Sequence, residues 1–173
     1  MSQMEKSTQK IIIAVAAVII LGGIGYLIIS KIRAGQALAQ IGDLSITQTQ
    51  VDYRDRVNQV FSPANRESLG LQQLIDTFTK AEVLKRNGQP VSTQVLENEA
   101  KRIEKETRAP EALTKIKLVF SGDYDNYLQV FVMPIYVDRE TVRFFKTGNF
   151  PQNSFEDWFK EQKSQISISV TPR

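Results

Sequence analysis

The side chains that most often carry enzyme chemistry are missing from this chain. It contains no cysteine and no histidine, which excludes thiol nucleophiles, zinc–thiolate sites, the commonest general base and the commonest transition-metal ligand. No pair of carboxylates stands out for acid–base work, and no glycine-rich phosphate-binding loop is present. The sequence therefore predicts a protein that is not an enzyme, has no cofactor or metal ion, and acts by binding.

Two aspartates beside a glycine, Asp123 and Asp125 next to Gly122, are the pattern closest to a metal site. A calcium loop of the EF-hand type needs a glutamate at its twelfth position, and this stretch lacks one. An acidic residue at such a place more simply begins a helix, where negative charge is favourable near the free N–H groups. We therefore predict a helix start here and not a cation site.

A stretch rich in large apolar side chains, residues 120–145, is the strongest candidate for a binding surface. Methionine and aromatic side chains suit contact with many different partners. The stretch has more of them than one helix face can bury, although each residue taken alone could belong to the core. The candidate residues for binding a polypeptide are Phe120, Tyr124, Tyr127, Phe131, Met133 and Tyr136.

Helices are predicted over most of the chain after residue 47. Each carries apolar residues at helical spacing and begins or ends at a capping residue, a proline or a glycine. The predicted helices are Gln48–Phe61 with Tyr53, Val57, Val60 and Phe61 on one face, a helix from about Leu71 to Arg86, one after Ser92, one from Pro110, one over Tyr124–Phe145 that is kinked or broken near Pro134, and one after Ser154 with Trp158 as a core anchor.

Strands are predicted only near the two ends of the folded part. Ile41 and Leu44 flank the turn signal Gly42-Asp43, which predicts a small hairpin or a bent strand. Residues 165–170 alternate between polar and apolar types, which indicates a strand. Because a lone strand leaves its backbone groups unpaired, we expect the first and last strands to pair. The predicted fold class is mainly α, with a small β-sheet that closes the domain.

An uninterrupted apolar run, Ile11–Ser30, lies between Lys10 and Lys31. At about 1.5 Å per residue this run would be about 30 Å long, which matches the hydrocarbon core of a lipid bilayer. The alternative is a cleaved signal peptide, whose apolar region would be only about 7–15 residues long. We therefore predict an uncleaved, single-pass transmembrane helix that contacts the bilayer through residues 11–30.

The net charge of +3 is concentrated around this run, because residues 1–36 sum to +3 and residues 37–173 sum to zero. A neutral folded part does not predict a nucleic-acid partner. Lysines before the run favour a cytoplasmic N-terminus, and Lys31 and Arg33 oppose it. The predicted organisation is a short cytoplasmic tail at 1–10, the transmembrane helix at 11–30, a linker at 31–36, and one folded domain at 37–173 outside the cytoplasm.

Several segments after residue 37 together resemble a known protein family. The first is the turn and capped helix start at Ala39–Thr47. The second is the leucine-rich helix around Leu74-Ile75-Asp76, followed by Pro90-Val91-Ser92, where the next helix begins. The third is the tail Trp158–Lys163, which runs into Ile166–Ile168. In their order and spacing they are similar to the chaperone core of the SurA/PpiD family of periplasmic chaperones. The resemblance implies a helical core that holds unfolded polypeptides in a crevice, on the periplasmic side of the inner membrane.

The chain departs from that family in one respect. Members commonly carry a parvulin-type prolyl isomerase domain between the helical core and the tail, and only Thr147–Asn153 separates the two here. We therefore predict no isomerase activity. Two functions stay open: a membrane-anchored, chaperone-like protein that holds unfolded or partly assembled polypeptides, and a dedicated accessory or assembly subunit of one membrane or secretion complex.

Overall fold

A computed structural model describes residues 37–62 and 68–171 of the chain. The predicted class, mainly helical with a small antiparallel sheet, is confirmed. In chain order the elements are β1 (Ala37–Ile41), β2 (Leu44–Thr47), α1 (Gln48–Phe61), α2 (Gly70–Arg86), α3 (Thr93–Glu106), α4 (Pro110–Phe120), α5 (Tyr124–Asn126), a π-helix (Tyr127–Val132), α6 (Met133–Thr147), α7 (Phe155–Ser164) and β3 (Ile168–Val170).

The predicted tail at 1–10, transmembrane helix at 11–30 and linker at 31–36 lie outside the described residues. Within residues 37–62 and 68–171, none of the helices has both the length and the apolar character needed to cross a membrane. The membrane anchor therefore stays a prediction from the sequence.

The sheet has the strand order β2-β1-β3, and both pairs are antiparallel. Gly42 adopts a left-handed φ of 55° in the two-residue turn between β1 and β2, a conformation that favours glycine. The predicted pairing of the first and last strands is confirmed, since the Thr171 N–H donates to the Leu38 carbonyl at 2.9 Å. The last strand begins at Ile168 and not at residue 165, because the N–H groups of Gln165 and Ile166 still donate to the Gln162 and Lys163 carbonyls at the end of α7.

Side-chain caps begin four of the described helices, as the sequence predicts, and Asp123 at α5 is one of them. Thr47 and Gln50 form a reciprocal capping box at α1, and the hydroxyls of Ser92 and Ser154 accept backbone N–H bonds at α3 and α7. The prediction that Phe61 lies on the inner face of α1 is wrong, because this side chain is 61% exposed. It is the last residue of α1, and no described element covers that end of the helix.

Helix α2 is the centre of the domain. Ten of its 17 residues are buried, and it packs against α1, α6 and the first two strands. Its leucine-rich face supplies Leu74, Ile75, Phe78 and Leu84 to one continuous hydrophobic core. Burial of such side chains stabilises a fold by about 1.5–3 kcal/mol each.

The predicted interruption near Pro134 takes the form of a π-helix and not a break. Proline has no N–H to donate to the Val130 carbonyl four residues earlier, and its ring crowds that carbonyl in an α-helix. The preceding turn therefore widens, and the Met133 N–H donates to the Leu128 carbonyl five residues earlier. The released Val130 carbonyl accepts a hydrogen bond from Arg54 Nη1 at 3.2 Å.

Replacing Arg54 with methionine is expected to lower the free energy of unfolding by about 1–3 kcal/mol, because the partly buried Val130 carbonyl loses its donor. Urea denaturation followed by circular dichroism measures this loss. The matched variant adds Pro134→Ala, which restores a backbone N–H near that carbonyl and should recover part of the stability. If Arg54→Met alone stays within about 0.5 kcal/mol of the wild type, the bond does not support the π-helix.

Candidate functional site

A tight turn between α4 and α5 gathers aromatic side chains at one place. Ser121 and Gly122 both have left-handed backbone conformations, with φ of 47° and 89°, and they reverse the chain. Asp123 then accepts a hydrogen bond from the Asn126 backbone N–H at 3.2 Å, so the predicted helix start is confirmed. Hydrogen bonding from the Asn126 side chain holds the pKa of the Asp123 carboxyl below its ordinary value.

The turn leaves a pocket with a volume of about 270 Å³. Tyr124 and Tyr127 stack with ring centroids 5.8 Å apart, and Phe120 meets Tyr127 edge-on at 5.6 Å. Such ring pairs add about 0.5–1.5 kcal/mol each beyond the area they bury, so the aromatic wall is well supported. The lining residues are Glu104, Lys117, Phe120, Gly122, Asp123, Tyr124 and Tyr127.

The polar rim of this aromatic pocket is internally paired. Lys117 Nζ and Glu104 Oε1 lie 2.6 Å apart, and both side chains are about half exposed. The Tyr53 hydroxyl donates to Asp123 Oδ2 at 3.3 Å, while its ring packs on Phe120 with centroids 4.9 Å apart. A ligand in the pocket therefore meets an apolar interior and a rim that keeps one negative charge, that of Asp123, which is hydrogen-bonded only by neutral groups.

One polar atom in the wall has no partner. The Tyr127 hydroxyl is buried, the residue being only 3% exposed, and no hydrogen bond to it is found among the described residues. Burial, assisted by the negative charge of Glu104, raises the pKa of Tyr127 to about 12. The hydroxyl is therefore protonated at neutral pH and can donate to an acceptor. An unpaired buried donor costs about 1–3 kcal/mol, and an acceptor would relieve that cost only by displacing the atoms that cover the hydroxyl.

The six predicted binding residues do not form one continuous exposed surface. Phe120, Tyr124 and Tyr127 meet at the pocket, whereas Phe131 and Met133 do not line it, and of these five residues only Tyr124 lies outside the buried core. The π-helix contacts both α1 and α3, and five of its six side chains are buried. Tyr124 is 49% exposed, and Tyr136 is half-buried beneath the Arg139 guanidinium, 5.7 Å from its ring centre.

Sequence reasoning missed three residues of this site. From the sequence, Tyr53 was predicted only to lie on the inner face of α1, and no binding role was predicted for Glu104 or Lys117. No local signal could have linked these positions, because residues 53, 104 and 117 come from three helices that only the tertiary fold brings together.

The buried carboxylates in the described part of the chain, Glu82, Glu99 and Glu140, each form ion pairs with lysine or arginine side chains. Glu99, for example, accepts hydrogen bonds from Arg102 Nε at 2.9 Å and from Arg139 Nη1 at 2.8 Å. The Arg102 hydrogen bond in particular lowers the pKa of Glu99. Across the part of the chain that the structure describes, no cluster of three or more acidic side chains is placed to hold a metal ion.

Comparisons with known proteins identify no relative of this chain. No family model, no curated protein and no solved structure matches it at a significant level. The resemblance to the SurA/PpiD family therefore stays a prediction from the sequence. Functional conclusions for this protein rest on its own residues, above all on the aromatic pocket.

Proposed function

We propose that this protein binds apolar side chains of other polypeptides in the aromatic pocket, as a chaperone-like holding protein. The observation that carries the proposal is the buried Tyr127 hydroxyl, which has no partner among the described residues and belongs to a wall of three aromatic rings. Aromatic rings favour an apolar or aromatic side chain. When a ligand displaces the atoms that cover the hydroxyl, the hydroxyl supplies one directional hydrogen bond, which suits the peptide carbonyl next to such a side chain.

The size of the pocket supports weak, reversible binding of one side chain. Its volume of about 270 Å³ is below the range of roughly 300–1,000 Å³ found for small-molecule sites. Burying one large apolar side chain contributes about 1.5–3 kcal/mol, which alone gives low affinity. Low affinity fits a protein that holds a client briefly and releases it without a nucleotide. Longer retention would then need several such contacts.

The proposed location is the periplasmic face of the inner membrane. The predicted transmembrane helix at 11–30 supports this, since an anchored domain would meet polypeptides as they leave the membrane. The lack of net charge on residues 37–173 agrees with a polypeptide ligand and with no nucleic-acid partner.

A second candidate is a dedicated accessory or assembly subunit of one membrane complex. The limited exposure of the predicted surface favours it, because only Tyr124 among the pocket's aromatic residues is well exposed. A pocket for one side chain can act as the anchor point of a fixed interface as readily as it can sample many clients.

A photoreactive benzoylphenylalanine in place of Tyr124 is expected to crosslink the full-length protein to bound polypeptides in its native membrane. The same group at Leu118, which is 70% exposed and does not line the pocket, is the matched control and should give few adducts. Quantitative mass spectrometry of the adducts separates the two candidates. Many polypeptides at low occupancy favour the holding protein, and one partner at near-equal amounts favours the dedicated subunit.

Tyr127→Phe tests the hydrogen bond within the same experiment. It removes only the hydroxyl, so stability should stay level or rise, while the yield of adducts at position 124 should fall several-fold. Equal adducts at positions 124 and 118 would contradict the proposal, because the pocket would then have no preference over ordinary exposed apolar surface.

A further inference from the structure

The outer edge of β2 offers unpaired backbone groups. The Leu38 carbonyl accepts a hydrogen bond from Thr171, and the Gly42 N–H donates one to Ser167. The backbone N–H and C=O groups of the even-numbered residues in β1 therefore point toward β3. The backbone groups of the odd-numbered residues Ala39 and Ile41 point the other way, toward Ile46 and Leu44 of β2. Ser45 lies opposite Gln40, and its N–H and C=O therefore point away from β1. Because β2 is an edge strand, neither group has a strand partner in the described sheet.

A second pocket, of about 330 Å³, lies directly beside this edge. Leu44 and Ser45 of β2 form one side of it. The apolar part of the lining comes from α2, the chain before and within α3, the π-helix and the start of α6: Phe78, Val91, Leu96, Leu128 and Met133. We name it the β2-edge pocket. It is separate from the aromatic pocket, since the two share no lining residue.

The rim of the β2-edge pocket is acidic. Asp43 and Asp125 both line it, and no lysine or arginine does. Asp43 is paired with Lys85 Nζ at 2.7 Å, so its charge is already partly neutralised. Asp125 has no ion pair within the described part of the chain, and its side chain is exposed. The pocket therefore combines an apolar floor with one uncompensated carboxylate at its mouth.

We propose that β2 binds an extended segment of another polypeptide by strand addition, and that the β2-edge pocket receives a lysine or arginine side chain of that segment. The partner's backbone would pair with the N–H and C=O of Ser45. The aliphatic stem of the basic side chain would cover the apolar floor, with its cation against Asp125. This inference goes beyond the proposed function, since it concerns a different site and a ligand of different chemistry.

The test uses the full-length protein in a mild detergent and a fluorescent, end-blocked heptapeptide of alternating threonine and valine with a central arginine. Fluorescence anisotropy measures its binding. Ser45→Pro removes the outward N–H, which β2 does not need for its pairing with β1, and should weaken binding about tenfold. Ser45→Ala keeps the N–H and should bind like the wild type. Circular dichroism and Trp158 emission verify that each variant is folded.

Two further comparisons test the side-chain preference and the independence of the site. A peptide with central glutamate should bind at least tenfold more weakly than the arginine peptide, and Asp125→Asn should reduce that preference several-fold. Tyr124→Ala, in the aromatic pocket, should leave arginine-peptide binding unchanged. Wild-type affinity in folded Ser45→Pro, equal binding of the two peptides, or no binding of either peptide would overturn the inference. None of these results bears on crosslinking at position 124.

Discussion

Trp158→Ala is expected to lower the free energy of unfolding by about 3–5 kcal/mol, the largest loss for any single substitution proposed for this protein. Trp158, the only tryptophan in the chain, is completely buried. It contacts the rings of Phe144, Phe145, Phe150 and Phe155 at centroid distances of 5.3 to 6.0 Å. Alanine would leave a cavity among these rings, and α7 would lose its anchor on α6.

Trp158→Phe is the matched control for this prediction. The indole Nε1 has no hydrogen-bond partner in the described structure, so phenylalanine loses volume and no polar contact. We therefore expect less than half of the alanine effect. Urea denaturation followed by circular dichroism measures both variants, since the tryptophan signal is absent from them. An alanine variant within about 1 kcal/mol of the wild type would show that the aromatic cluster does not hold α7 in place.

Ser169→Pro should be the second most damaging change, with a loss of about 2–3 kcal/mol. Ser169 lies opposite Gln40, and the alternation along β1 places the Ser169 N–H and C=O toward that strand. Proline removes the N–H and forces its ring against β1. The closing strand would detach, and Ile166, which is 7% exposed, would lose part of its cover.

Val170→Pro provides the control, because Val170 is the next residue and its N–H points to the open edge of the sheet. Its side chain is 50% exposed, so little packing is lost, and we expect a change below about 1 kcal/mol. Thermal unfolding of the two variants gives the comparison. Equal destabilisation by both prolines would mean that β3 is held by its side chains and not by its backbone pairing with β1.

Features that depend on a few neighbouring residues were predictable from the sequence. The Thr47 cap, the Gly42-Asp43 turn and the end of α2 before Gly88 all appear where predicted, because each is decided by local hydrogen bonding or by a left-handed backbone position. The pairing of β1 with β3 followed from a more general requirement, that a strand must satisfy its backbone groups.

The candidate site was only partly predictable. Composition and spacing singled out Phe120, Tyr124 and Tyr127, which do line a pocket. The same reasoning gave equal weight to Phe131 and Met133, which do not line the aromatic pocket. Hydrophobicity alone cannot separate these cases, because Phe120 and Tyr127 are as deeply buried as Phe131 and Met133, and only the packing around a side chain decides whether it borders a cavity. For the π-helix this packing comes from α1, α3 and α6, which all contact it.

The sequence by itself determined the helical class, most helix ends and the closing pair of strands, because these depend on periodicity, caps and backbone pairing. Only the tertiary structure decided how Pro134 is accommodated, since the Val130 carbonyl finds its donor in Arg54, 76 residues away along the chain. The same holds for the unpartnered Tyr127 hydroxyl and for the open edge beside Ser45. Each of these features depends on how residues far apart in the sequence pack together, so none of them can be predicted from a local stretch of the chain.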